Sequence, residues 1–298
     1  MALVLRERRA TAAPQAAVRF RGWRGAIALA ADARLLALLA RLAPGWPSAP
    51  GRAPVRASVE VTRAGRRFRI ETSAYAAPDY GFTRYLPAAN GTLGVLIGSY
   101  IAADPETIGL HAAALAFGGR AAALLGDSFA GKSTLALTLA AVGGRLLADD
   151  RLAVRLQEPP VVFGFGTAAK LRLPYPAWAS ARFRAMVVRH GACLAANLLA
   201  LDLTASRSCG FAEAVLLSAL FVLARDPAHV GPPATERLGR PEIMHRLIQQ
   251  MFAPHLPPSA VLAAARKLAE AAPAYRLRYR EASAVPALLR RCLAEGQP

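Results

Sequence analysis

Gly126-Asp127-Ser128-Phe129-Ala130-Gly131-Lys132-Ser133 follows a pattern of glycine, four residues, then glycine, lysine and a hydroxyl residue. The glycines let the backbone wrap tightly, so that successive N–H groups converge on phosphate oxygens. The lysine reaches the β- and γ-phosphates, and the serine hydroxyl joins a Mg²⁺ shell. The flanks agree with the motif. Ala121 to Leu125 before it is a short apolar run that reads as a buried strand, and Ser133 to Ala141 after it reads as a helix. Strand, loop and helix in that order are what a phosphate-binding loop requires. The helix start adds unpaired N–H groups and a positive dipole end, which favour an anion. Lysine occurs only at 132, 170 and 267, so a chance match is rare. Gly126, Asp127, Ser128, Phe129, Ala130, Gly131, Lys132, Ser133 and Thr134 are therefore the expected cradle for ATP and its Mg²⁺.

Beyond the loop helix, Gly143-Gly144 closes a turn and Arg145-Leu-Leu-Ala-Asp149-Asp150 reads as a short strand ending in two acids. Neighbouring side chains on a strand face opposite ways, so both acids reach one site only if the strand breaks there. One would then hold Mg²⁺, directly or through water. The other would accept the proton of an attacking hydroxyl. The plainer alternative is one metal acid beside a surface aspartate. His111 is expected on the strand paired with the loop's own strand, either orienting an aspartate or resting as a core histidine. Lys170 and Arg172 share one strand face, which either stabilises phosphoryl charge or faces solvent.

The outer segments give a two-part organisation. Residues 1–25 read as a basic arm, 26–42 as an amphipathic helix, and 44–51 as a turn-rich connector. The alternating runs 59–62 and 66–70 read as a hairpin. These make a small α+β subdomain over 1–90, followed by a phosphate-loop domain over 91–298. In the second part, 91–103 reads as a helix ended near Asp104-Pro105. Residues 110–117 and 120–125 read as strands joined at Gly118-Gly119, which predicts a mixed sheet instead of a plain parallel one. Strands are expected at 152–156, 161–165, 170–173 and 274–279, and helices at 241–252, 258–271 and 285–293. Residues 215–223 fit a buried strand or a helix equally.

Composition narrows the class. The 298 residues are 54% hydrophobic, enough for a substantial core, and 37 Lys+Arg against 19 Asp+Glu give a net charge of +18. The arginines are spread evenly without interleaved aromatics, which argues against nucleic acid and leaves an acidic peptide as a fitting partner. Three scattered cysteines suit a reducing cytosol and form neither a disulfide framework nor a metal site. No apolar run is long enough to cross a bilayer, so no membrane partner is expected. A homo-oligomer is compatible with the chain.

His111, the loop at 126–133 and Arg145 to Asp150 together resemble the catalytic core of bacterial HPr serine kinase/phosphorylase. They resemble still more closely the HPr-kinase-related proteins found beside peptide-modification genes, including lasso-peptide serine kinases. The spacings agree, with Gly126 fifteen residues after His111 and Asp149 twenty-three after Gly126. The likeness covers residues 110–156. It implies a phosphoenolpyruvate-carboxykinase-like P-loop fold and a cytoplasmic kinase of peptide or protein serine. Carried onto this chain, Lys132 would hold the β/γ-phosphates and Ser133 the Mg²⁺. Asp149 would be the catalytic base, with Asp150 at the metal, His111 orienting, and Arg172 keeping a catalytic role. The chain departs from the pattern at Thr134, where the family has a glutamate, and at Lys170-Leu-Arg172, where a base replaces an acid. The second departure argues against reverse phosphorolysis. The absence of a recognisable HPr-docking helix argues against HPr as substrate. A nucleotide-binding regulatory module and a kinase of a small-molecule hydroxyl are the other readings.

Overall fold

The computed structural model describes residues 16–19, 26–46 and 55–295. Its N-terminal unit contains β1 (Ala16–Arg19), β2 (Ala26–Ala30), α1 (Ala33–Leu42), β3 (Val55–Ala64), β4 (Arg67–Thr72) and α2 (Tyr85–Ile101). The four strands form one sheet in chain order, with β2 and β3 parallel and the outer pairs antiparallel. The helix expected over 26–42 is instead a strand followed by a shorter helix. Asp32 accepts a hydrogen bond from the Leu35 N–H at 2.8 Å, which caps α1 and leaves the apolar 26–30 to pair as β2. The expected hairpin is present as β3 and β4, and alternation along β4 buries Phe68 and Ile70.

α2 begins at Tyr85, not Gly91, and is apolar on almost every side. Its position explains why. Leu96, Ile97 and Ile101 are buried in a cluster that joins Phe68 and Ile70 of the small sheet to Phe163 and Phe165 further along the chain. A boundary after residue 90 therefore falls inside a helix. Of the expected basic arm, 16–19 form β1, while 1–15 and 20–25 lie outside the described residues, as do 47–51 of the connector.

The rest begins with β5 (Thr107–Leu110), β6 (Ala113–Phe117), β7 (Arg120–Leu125), α3 (Lys132–Ala141), β8 (Arg145–Ala148), β9 (Leu152–Arg155) and β10 (Val161–Phe163). It continues with β11 (Ala169–Arg172), α4 (Ala181–His190), β12 (Gly191–Ala195), β13 (Leu198–Leu201) and β14 (Val215–Arg225). Then come β15 (Ala234–Arg237), α5 (Arg240–Gln250), β16 (Met251–Phe252), α6 (Pro258–Ala271), β17 (Ala274–Tyr279) and α7 (Pro286–Glu295). Ten of these strands make one sheet in the order β16-β5-β9-β10-β14-β7-β6-β8, with β17 on β14 and β15 on β17; β11, β13 and β12 form a separate three-stranded sheet.

The large sheet is mixed, as the sequence predicts. β7 runs antiparallel to β6 and parallel to β14, the segment that periodicity left undecided. The apolar run of β7 is buried on both faces. Ala122 and Leu124 pack with Leu135 and Leu139 of α3 and Leu289 of α7; Ala121, Ala123 and Leu125 pack with Leu247 of α5 and Leu268 of α6. The stretch 110–117 is not one strand. It breaks at His111 and Ala112, so β5 pairs with β9 and β16 while β6 pairs with β7 and β8.

Candidate active site

β7 delivers the chain into the loop, and α3 leaves it at Lys132. Gly131 caps α3 at φ 92, a conformation open to glycine at little cost, and Phe129 takes φ 69 at the loop tip. A non-glycine residue in that region carries strain of the kind that gathers at functional sites. α3 has no side-chain cap and no acid in its first turn, so its leading N–H groups point into the loop unpaired by side chains. Lys132 is buried, and its ammonium donates to the carbonyls of Gly126 at 2.7 Å and Asp127 at 3.1 Å. Burial lowers its pKa, against the pull of Asp150, Asp149 and Asp127. Both acids after β8 are thus within electrostatic reach of the loop lysine.

The break needed at the strand end is at Asp150, which has φ 101. Its N–H donates to the Ala112 carbonyl at 3.2 Å, in the gap between β5 and β6, and the His111 N–H donates to the Gln250 carbonyl at 2.6 Å. The expected placement of His111 within a strand is therefore corrected. It sits in the gap beside the acids, because both neighbouring strands give up pairing there. His111 Nε2 lies 3.1 Å from Asp150 Oδ1. Burial pushes the His111 pKa down, and Lys132, Arg151 and Lys170 add to that; only Asp150 opposes. Facing a carboxylate oxygen at that distance, Nε2 carries a proton and donates a hydrogen bond to it.

The two carboxyl groups differ sharply. Asp149 is 3% exposed, and its Oδ2 accepts the Lys170 N–H at 2.7 Å, while Oδ1 has no hydrogen-bond partner. Burial raises its pKa; the nearby Ser133 hydroxyl, the Lys170 amide and the Lys170 charge only partly offset this. Asp150 is held below the ordinary carboxylate range. Burial would raise it, but Lys170, Arg151 and His111 outweigh that. Lys170 Nζ lies 3.2 Å and an Arg151 nitrogen 3.6 Å from its Oδ2. Two adjacent carboxyl groups are thereby pushed in opposite directions, Asp149 up and Asp150 down.

Lys170 and Arg172 do share a face of β11, with Ala169 and Leu171 buried on the other. They diverge in use. Lys170 turns to the acids, whereas the Arg172 guanidinium stacks 4.4 Å over the ring of exposed Phe129. Arg246 of α5 approaches Asp127 at 3.3 Å from the other flank. Beneath the loop, the buried Tyr279 hydroxyl has no hydrogen-bond partner and lies 3.5 Å from where a Cβ on Gly131 would sit; burial pushes its pKa up to about 12. Sequence reasoning missed Asn90, Arg151, Arg246 and Tyr279. Only Arg151, adjacent to the acids, carried a local signal; the others arrive from distant elements.

Among the described residues no group of three or more His, Cys, Asp or Glu could hold a metal. A Mg²⁺ borne by nucleotide phosphates fits this better than a protein cage, since Mg²⁺ keeps waters and needs few carboxylates. The Ser133 hydroxyl at the start of α3 and the Asp150 carboxylate supply hard oxygen donors of the required kind.

No protein-family model and no curated protein matches the chain. Among solved structures, the HPr(Ser) kinase/phosphatase from Coxiella burnetii is similar at 13% identity and a TM-score of 0.32, over 63% of this chain and 94% of that one. A likeness so distant carries no functional argument, and function rests on the site's own chemistry. No helix among the described residues is long and apolar enough to cross a membrane.

Proposed function

We propose that the chain is an ATP-dependent kinase that moves the γ-phosphoryl group to a serine hydroxyl of a peptide or small protein, such as a ribosomally made peptide precursor. The observation that carries this reading is the unpartnered Oδ1 of buried Asp149, on a carboxyl group whose charge is felt by the Lys132 ammonium. The loop amides and Lys132 bind the triphosphate. Asp149 takes the proton of the acceptor hydroxyl as its oxygen attacks the γ-phosphorus, the bond to the β-phosphate oxygen breaks, and ADP leaves. A carboxylate whose pKa is raised by burial is suited to that task. Arg172 supplies positive charge to the transferring group, and His111 orients Asp150. Ser133 and, through water, Asp150 form the side of the site for Mg²⁺, which when bound neutralises phosphate charge. A regulatory nucleotide switch needs one metal acid, and the second, differently tuned acid favours transfer.

The test is incubation with ATP, Mg²⁺ and a panel of serine-containing peptides, read by mass spectrometry. Lys132→Ala is expected to lose nucleotide binding. Asp149→Asn is expected to bind ATP within about threefold of wild type while transfer falls about 100- to 10,000-fold. Normal transfer by Asp149→Asn would remove the assigned base. Phosphorylation of small hydroxyl compounds but no peptide would overturn the acceptor class.

A further inference from the structure

The cluster around Asp150 extends away from the nucleotide loop into the N-terminal unit, and the roles above leave that extension unused. Lys170 is its centre. Its amide donates to Asp149 Oδ2 at 2.7 Å, and its ammonium donates to Asp150 Oδ2 at 3.2 Å and to Asn90 Oδ1 at 3.1 Å. Asn90 belongs to α2. Arg151 follows the same route, with one nitrogen 3.6 Å from Asp150 Oδ2 and another donating to the Asn90 carbonyl at 3.4 Å. It lies against α2 where Gly94 has no side chain; a Cβ there would stand 3.2 Å from the guanidinium.

We propose that Lys170, aimed by Asn90, is a positioning residue that fixes the geometry of both catalytic-site carboxylates, and that the N-terminal unit takes part in catalysis by holding this lysine. The proposal rests on the kinase reading above. Three physical points support it. Asp150 sits at φ 101, where a non-glycine residue needs the surroundings to hold it. Its two oxygens have separate partners, Oδ1 with His111 and Oδ2 with Lys170 and Arg151. A flexible ammonium keeps one direction only when a second acceptor fixes it, and a neutral amide oxygen does so without cancelling the charge that Asp150 needs.

The design separates side chain from backbone, because Lys170→Met removes the ammonium and keeps the amide bond to Asp149. Wild type, Lys170→Met, Lys170→Arg, Asn90→Ala and the Lys170→Met/Asn90→Ala double variant are compared in full-length protein. Each is assayed for ATP affinity, for kcat and for amide hydrogen exchange at residues 149–151. Lys170→Met is expected to lower kcat about 10- to 100-fold with ATP affinity unchanged within about threefold, and Lys170→Arg to recover part of the loss. The double variant should be no worse than Lys170→Met alone, because Asn90 acts through the lysine. The Asp150 amide should exchange at least about tenfold faster in Lys170→Met, while α3 amides keep their protection. A kcat within twofold of wild type, losses that add in the double variant, or a fall in ATP affinity equal to the fall in kcat would each overturn the proposal. Exchange does not depend on turnover. If wild type transferred no phosphate, the kinase reading would fail, and unchanged exchange at Asp150 would independently sink the positioning role.

Discussion

At the scale of single residues, the base role proposed for Asp149 pulls against stability. A carboxylate 3% exposed with one oxygen unpartnered is costly to keep charged. Asp149→Asn keeps an oxygen for the Lys170 N–H and turns an amide toward the Ser133 hydroxyl. The variant is expected to be more stable than wild type by about 1–2 kcal/mol, or roughly 2–5 °C in Tm, while losing transfer. The pH dependence has a definite sign. Because the folded carboxyl group has a raised pKa, the folded state holds its proton longer than the unfolded chain, so wild type loses stability as pH rises through that window. The Tm gap measured without nucleotide or divalent ion should be wider at pH 7.5 than near pH 4; a gap constant with pH would contradict the assignment. The residues of this site were largely legible, since glycine spacing, a lysine and paired acids are local patterns. Lys170 was visible only as a cation on a strand, and Asn90 not at all, because the contact between them spans eighty residues.

At the scale of elements, legibility followed how far local signals agreed with tertiary pairing. α6 begins and ends where sequence placed it, with a proline at its start, and β17 matches its alternating run. The break at His111 was hard to see because 110–117 is apolar apart from that histidine, and only partner strands decide where such a run divides. β12 and β13 were unread for the opposite reason, being short and half-exposed, whereas α4 carried a local signal in its Ser180 cap and in Phe183, Met186 and Val187 at helical spacing. α1 shows a signal that was present and underused. Its cap at Asp32 outranks the continuous apolar spacing on either side, so Asp32→Ala is expected to cost about 1 kcal/mol. Asp32→Asn should be nearly neutral. Urea unfolding followed by circular dichroism checks this, and equal losses in the two variants would mean that the carboxylate acts through charge and not as a cap.

At the scale of the molecule, a net charge of +18 sets the field in which a substrate arrives. No dense basic block concentrates it, so the effect expected on an acidic partner of the proposed kinase is long-range attraction and not recognition of a particular residue. Such attraction weakens once the screening length falls to about 10 Å near 0.1 M salt. The transfer proposed at the loop would run between buried groups such as Lys132 and Asp149, which salt reaches poorly. An acidic serine peptide should therefore show a KM that rises several-fold between about 50 and 200 mM NaCl, with kcat constant within about twofold. A neutral peptide of equal length should show little change in either. The comparison isolates the acceptor, because ATP is common to both reactions. If the two peptides responded alike, the charge would be acting on the nucleotide, and the basic surface would lose its place in acceptor selection. If kcat fell with salt for the acidic peptide alone, its charges would be working inside the catalytic step, and Arg172, exposed beside the loop, would be the side chain to substitute next.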